Sequence, residues 1–154
     1  MYHSITFTHR GGGVRNTWDN WCLIPASRPV VNPPSVTEKY VDIPGRDGRL
    51  DITELLTGAA VYGDRTGSWE FYIDHDHISN YKWQNLYTNV MGFLHGKWVT
   101  VVLEDDPDYR YYGRTRVSAF KADKNHSMIT IDYVLEPYKQ HVEDGSADSG
   151  VYKL

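Results

Sequence analysis

The sequence predicts a mainly β (α+β) fold: a β-sandwich or split barrel with one packed α-helix and a protruding β-hairpin. Three observations predict it. Short runs of alternating apolar and polar residues recur along the chain, most clearly at 69–73, 97–103, 109–120 and 127–137, and period-two alternation is the mark of a half-buried strand. Only one stretch has helical periodicity. Trp83, Leu86, Tyr87, Val90, Met91 and Leu94 follow one another at helical spacing and form one stripe,. The third observation is the segment 40–58, YVDIPGRDGRLDITELLTG, where two alternating arms flank a Pro-Gly-Arg-Asp-Gly loop.

The composition suits one folded domain. A chain of 154 residues can bury a sizeable core, and 40% hydrophobic with 23% charged residues excludes a disordered chain,. The aromatic share, 14% with 12 Tyr and 5 Trp, favours strands and surfaces that touch something,. Net charge is −4 and no basic run exists, so tight binding to a phosphate backbone is disfavoured. The single cysteine, Cys22, excludes an intrachain disulfide and reads as a small buried hydrophobe,. No apolar run approaches the ~20 residues of a membrane helix, and the first residues lack a signal-peptide core.

Taken in order, residues 4–7 read as a first strand, ended by a loop around the glycine triplet 11–13. Residues 18–24 have a rough strand pattern that stops at Pro25. Residues 25–34 hold four of the seven prolines, which predicts a stiff extended strap across the surface. After the ribbon, residues 53–56 form one helical turn ended by Gly58, and 69–73 form a strand with Trp69, Phe71 and Ile73 on one side. The helix runs over 81–95, capped by Ser79 or Asn80 and ended by Gly96. At ~1.5–3 kcal/mol per fully buried large side chain, its stripe holds it flat on the sheet. Residues 97–103 are a central strand, 104–108 an acidic turn, and 109–120 with 127–137 two long strands. From Lys139 the chain turns polar and small, so residues 1–138 are read as the domain and 139–154 as a loose tail.

The ribbon carries the functional argument. Val41, Ile43, Leu50 and Ile52 share one face, while Asp42, Arg49 and Asp51 share the other,. A two-stranded ribbon is marginal alone in water, so this one requires a sheet or another subunit to lie on.

The candidates for chemistry are weaker. Asp74-His75-Asp76-His77 holds the metal candidates His75 and His77, but spacing indicates no third ligand, and a solvated strand-to-helix loop is the simpler reading. The acidic turn lacks the glycine and ligand spacing of a calcium loop. Gly11-Gly12-Gly13 is followed by no Lys-Ser or Lys-Thr and opens no helix, so it is no phosphate loop. Nothing pairs Cys22 with a base and an orienter. Trp18, Trp21 and Trp69 would make a sugar platform if exposed, and core if not. The sequence argues against an enzyme and calls for no cofactor.

The ordered set of short motifs resembles the N-terminal domain of the distal tail proteins of long-tailed, non-contractile bacteriophages. The matching pieces run from Asn16-Thr17-Trp18 and Leu23-Ile24-Pro25 through Tyr40-Val41-Asp42-Ile43-Pro44-Gly45 and Arg65-Thr66-Gly67-Ser68. They continue with Leu94-His95-Gly96, Leu103-Glu104-Asp105-Asp106-Pro107, Tyr112-Gly113-Arg114 and Ile129-Thr130-Ile131-Asp132-Tyr133. The resemblance covers residues 1–138.

What the resemblance implies is a structural virion tail protein, assembled in the bacterial host cytoplasm and encoded by a phage or prophage. Six copies would form a ring that joins the tail tube to the baseplate and tail-fibre proteins, around a channel that DNA crosses without specific binding or any membrane. Longer members of the family carry a C-terminal domain that these 154 residues do not include, so host recognition is expected elsewhere. Contacts within the ring are expected at Val41, Ile43, Arg46, Asp47, Arg49, Leu50 and Ile52. A tail-tube subunit and a monomeric carbohydrate-binding module are the alternatives.

Overall fold

The structure, a computed structural model, describes residues 3–55, 58–74, 83–122 and 127–141. Among them lie twelve strands and one helix. The main sheet is antiparallel and curled into a half-barrel, in the order β2-β1-β9-β10-β11-β8-β3. Its members are β1 (Ile5–His9), β2 (Val14–Asn16), β3 (Leu23–Pro25), β8 (Arg65–Ile73), β9 (Lys97–Leu103), β10 (Asp106–Ala122) and β11 (Ser127–Leu135). The helix α1 (Trp83–Leu94) packs on β9 and β10. The predicted class, mainly β with one packed helix and a hairpin, is the class observed.

Alternation decides which face is inside. Ile129, Ile131, Tyr133 and Leu135 of β11 are buried, as are Trp69, Phe71 and Ile73 of β8, Val99, Val101 and Leu103 of β9, and Ile5 and Phe7 of β1. Antiparallel register sets these residues side by side: Ile131 faces Trp69 and Val117, and Phe7 faces Val101. Leu86, Val90 and Leu94 of the helix close over them. Rings fill the centre, where Trp69 stacks on Tyr133 at 4.3 Å and Phe7 lies 6.1 Å from Trp69 and 6.4 Å from Trp21. Such pairs add ~0.5–1.5 kcal/mol beyond area burial.

The end of the helix is fixed by the sheet as well as by its own cap. Gly96 takes φ 71°, the left-handed turn that ends a helix without a Cβ penalty. Its N–H donates to the Thr115 carbonyl at 2.8 Å, and the Thr115 hydroxyl donates to the Leu94 carbonyl at 2.9 Å. The proposed N-terminal cap, Ser79 or Asn80, lies outside the described residues.

Several expectations are corrected. Residues 18–22 are a turn, and the strand is confined to Leu23–Pro25, including the proline that was expected to end it. The cause is Asn16, whose Oδ1 accepts from the amides of Trp18 at 2.9 Å and Asp19 at 3.1 Å. That local bond competes with a ladder and wins. Cys22 follows with φ 51° and is half-buried, not a core hydrophobe. The glycine triplet forms a tight turn from β1 into β2, with the His9 N–H on the Gly13 carbonyl at 2.8 Å. β10 begins at Asp106, three residues early, and is bulged between Val117 and Ala119. Lys139 is not the start of a loose tail. β12 (Gln140–His141) pairs with Tyr109 and Arg110 of β10, and the Lys139 ammonium lies 3.5 Å from Asp106 and over the Tyr109 ring. Residues 142–154 lie outside the described residues.

The acidic turn ties down the beginning of the chain. Ser4 donates from its N–H at 2.7 Å and its hydroxyl at 3.0 Å to Glu104, and Asp105 lies 2.8 Å from His3. The Ser4 amide, above all, holds the Glu104 carboxyl below its ordinary pKa. The strap crosses the sheet as expected and is pinned: the Trp69 indole donates to Val30 at 2.9 Å, and the Asn32 N–H donates to the Tyr133 hydroxyl at 2.9 Å.

Two predictions test this packing. A Cβ on Gly113 would run into the Val134 carbonyl oxygen and lie 2.6 Å from Leu135 Cα, backbone atoms that cannot yield. Gly113→Ala is therefore expected to cost about 3 kcal/mol in urea unfolding. Gly92→Ala, on the open face of the helix, should instead stabilise by about 0.5–1 kcal/mol,. Burial raises the Tyr133 pKa, so its contribution is whole below the unfolded value of about 10 and is lost as pH rises through the folded one. Tyr133→Phe should be less stable than the parent by about 1 kcal/mol at pH 8, and that gap should narrow by pH 11.

Candidate interaction surface

Residues 36–55 and 58–62 leave the half-barrel as an arm. At its root β4 (Val36–Thr37) pairs with β7 (Val61–Tyr62), and further out β5 (Tyr40–Asp42) pairs with β6 (Arg49–Asp51). Among the described residues neither pair is bonded to a strand of the main sheet. The root is fixed by the Gly63 N–H on the Ser35 carbonyl at 2.8 Å. Just beyond it the buried Arg65 guanidinium donates to the carbonyls of Pro137 at 3.0 Å and Asn32 at 3.1 Å.

The ribbon holds itself in shape. Val41 faces Leu50, Asp42 faces Arg49 and Tyr40 faces Asp51, which puts Val41 and Leu50 on one face and the polar residues on the other, as alternation requires. Pro44 and Gly45, with φ 79° at Gly45 and the Arg46 N–H on the Ile43 carbonyl at 3.1 Å, have the pattern of a type II turn,. Gly48, at φ 78°, turns the chain back. On the polar face Arg49 lies over the Tyr40 ring at 4.2 Å, and the Tyr40 hydroxyl donates to Glu38 at 3.0 Å, a bond that raises the Tyr40 pKa. Thr53 closes the inner end, donating from its hydroxyl and amide to Asp51, which lowers the Asp51 pKa, and accepting from the Lys39 amide at 3.0 Å.

Among the described residues nothing covers the apolar face. Of the thirteen large hydrophobics exposed among the described residues, seven lie in this arm, so exposure is concentrated here. Leu55 is the extreme at 74%, with Val41 at 42% and Leu50 at 39%. The structure thus brings Val41, Ile43, Arg46, Asp47, Arg49, Leu50 and Ile52 together on one ribbon, with Ile52 half-buried at its base. His75 and His77 lie outside the described residues. Trp21 and Trp69 are buried and Trp18 is half-buried, so these three do not present a common exposed platform.

A second surface was not legible in the sequence. On the outer face of β9, β10 and β11 lies a groove of about 520 Å³, lined by Trp98, Arg114, Arg116, Asp132, Val134 and Glu136 among others, with Asp64 at its arm end. Trp98 sits between two guanidinium groups, Arg10 at 4.9 Å and Arg114 at 5.8 Å from its ring centre. Arg116 pairs with Asp132 at 3.3 Å. The available signal was a tryptophan and an arginine at outward positions of neighbouring strands, but register alone places them side by side.

Surface substitutions that touch nothing usually change stability by less than 0.5 kcal/mol. Val41→Ser and Leu50→Ser are therefore expected to leave the urea midpoint of the isolated chain unchanged within about that amount. A loss of about 2 kcal/mol would show that the ribbon packs on its own barrel.

No protein-family model matches the chain, and no curated protein is significantly similar to it in sequence. Among solved structures the fold is similar to that of the Dit protein of phage SPP1, described as a paradigm of the hub adsorption apparatus in phages that infect Gram-positive bacteria. The TM-score is 0.62 at 18% identity, over 89% of this chain and 52% of that one. The chain spans about half the length of that protein, and the likeness is one of fold: the half-barrel that carries the arm and the groove has the fold of a phage hub protein.

Proposed function

We propose that the protein is a structural subunit of a phage or prophage tail, a self-assembling hub that joins the tail tube to the adsorption apparatus. The observation that carries this reading is the arm: an apolar ribbon face that no other described residue covers, on a barrel that shares its fold with a phage hub protein. Apolar area left in water is a standing driving force for association, at about 25 cal/mol per Å². One patch on an arm meeting a different patch on a neighbour is a head-to-tail contact, which closes into a ring when the rotation allows. Six copies around a channel is the arrangement proposed, with tail-tube and baseplate proteins above and below it. The net charge of −4 supports a channel through which DNA passes without binding,. The protein then resides in the virion tail after assembly in the host cytoplasm, and its role is scaffolding, not catalysis.

Light scattering over a concentration series, with negative-stain images of the largest species, tests the proposal. The expected result is a mass of six chains of 17.8 kDa each and a ring with a central hole. A mass that stays at one chain throughout the series contradicts it.

A further inference from the structure

We propose that the groove on the outer sheet face binds a neutral oligosaccharide. The inference goes beyond the assembly reading and does not depend on it. At about 520 Å³, the groove falls within the ~300–1,000 Å³ of small-molecule sites. It lies on the face of β9, β10 and β11, each of which is paired on both sides within the sheet. An extended peptide laid across that face would gain no ladder of main-chain bonds, so recognition falls to the side chains.

Those side chains offer both halves of a hydroxyl's chemistry. Arg114 and Arg116 donate, while Asp132, Glu136 and Asp64 accept,. The lining therefore opposes a polyanion with its carboxylates and a polycation with its guanidinium groups. A sugar hydroxyl donates to the first, accepts from the second and brings no charge to be repelled. Several of these groups are already held in place, which lowers the entropy cost of binding. Arg114 donates to the Gly96 carbonyl at 3.1 Å, and Asp132 accepts from Arg116 at 3.3 Å and from the Ser118 hydroxyl at 3.0 Å. Glu136 and Asp64 have no ion pair or side-chain hydrogen bond among the described residues, so their oxygens are open to a ligand.

Trp98 supplies the platform. Arg10, outside the lining, lies over the indole at 4.9 Å and braces it. The electron-rich ring face suits the slightly positive C–H groups on the flat side of a pyranose. Register sets Trp98 beside Arg114, Arg114 beside Val134, and Arg116 beside Asp132, so the ring adjoins the polar row.

Calorimetric titration of the full chain with neutral disaccharides and trisaccharides of glucose, galactose, N-acetylglucosamine and rhamnose tests it. The expected result is saturable binding of at least one of them. Trp98→Ala should weaken that binding by about tenfold, as loss of an aromatic anchor does. Glu136→Gln, at an exposed position, should weaken it by about fivefold, the loss of one hydrogen bond to a charged group, and leave the unfolding midpoint unchanged. This second variant keeps the test valid if the first fails to fold. A flat titration across the panel overturns the proposal. So does sugar binding that neither variant alters, which places the ligand elsewhere on the molecule. A tri-glutamate or tri-lysine peptide that binds more tightly than any sugar, and is lost in the same variants, would make the groove a peptide site and overturn it too. None of these outcomes bears on the mass by light scattering, so this proposal and the assembly reading fail separately.

Discussion

The structure depends on how one helix closes one curled sheet. The inward face of the sheet must be covered, and α1 supplies the cover over β9 and β10 through Leu86, Val90 and Leu94. At ~1.5–3 kcal/mol for each such side chain, this face outweighs the cost of any single cap or turn in the molecule. Thr115 adds direction, because its hydroxyl on the Leu94 carbonyl and its own carbonyl under the Gly96 amide lock the helix end to β10. Once that closure is made, the inner face of the sheet is full.

That saturation explains the arm. The arm branches from the edge of the barrel beyond β8, where the strap has already taken the hydrogen-bonding capacity of Trp69 and Tyr133. No inward face remains for Val41, Ile43 and Leu50, and the ribbon keeps its shape through its own turn, the Arg49–Tyr40 contact and the Thr53 knot. A ribbon that is ordered by polar bonds while its apolar side stays in water is prepared for a partner, and the order it already has lowers the entropy cost of binding. A groove of mixed charge lies on the outer face of the same sheet.

Much of this was legible in the sequence where a single local rule governs. β11 follows strict alternation from Ser127 to Leu135, and the helical stripe needed only spacing. The ribbon's two faces and its glycine turns were equally local. Failures came where side chains intervened: Asn16 captures two amides and converts an apparent strand into a turn, and a bulge after Val117 breaks the alternation of β10. Residues 139–141 read as tail because their anchor, the segment Asp106 to Arg110, is distant in sequence. The groove was invisible for the same reason. Trp98, Arg114 and Val134 come from three strands and Arg10 from the turn after β1, and only the register of the folded sheet makes them neighbours.

Hydrogen exchange at the ribbon, measured in dilute and in concentrated solution, tests the central claim most directly, since it asks whether the arm's order and its cover come from different chains. The account predicts that amides of residues 40–51 exchange rapidly in dilute protein and slow at least tenfold on assembly, while those of Lys97–Leu103 are protected in both. Ribbon amides that are already protected in the dilute monomer, or that stay unprotected in the assembled protein, would contradict it.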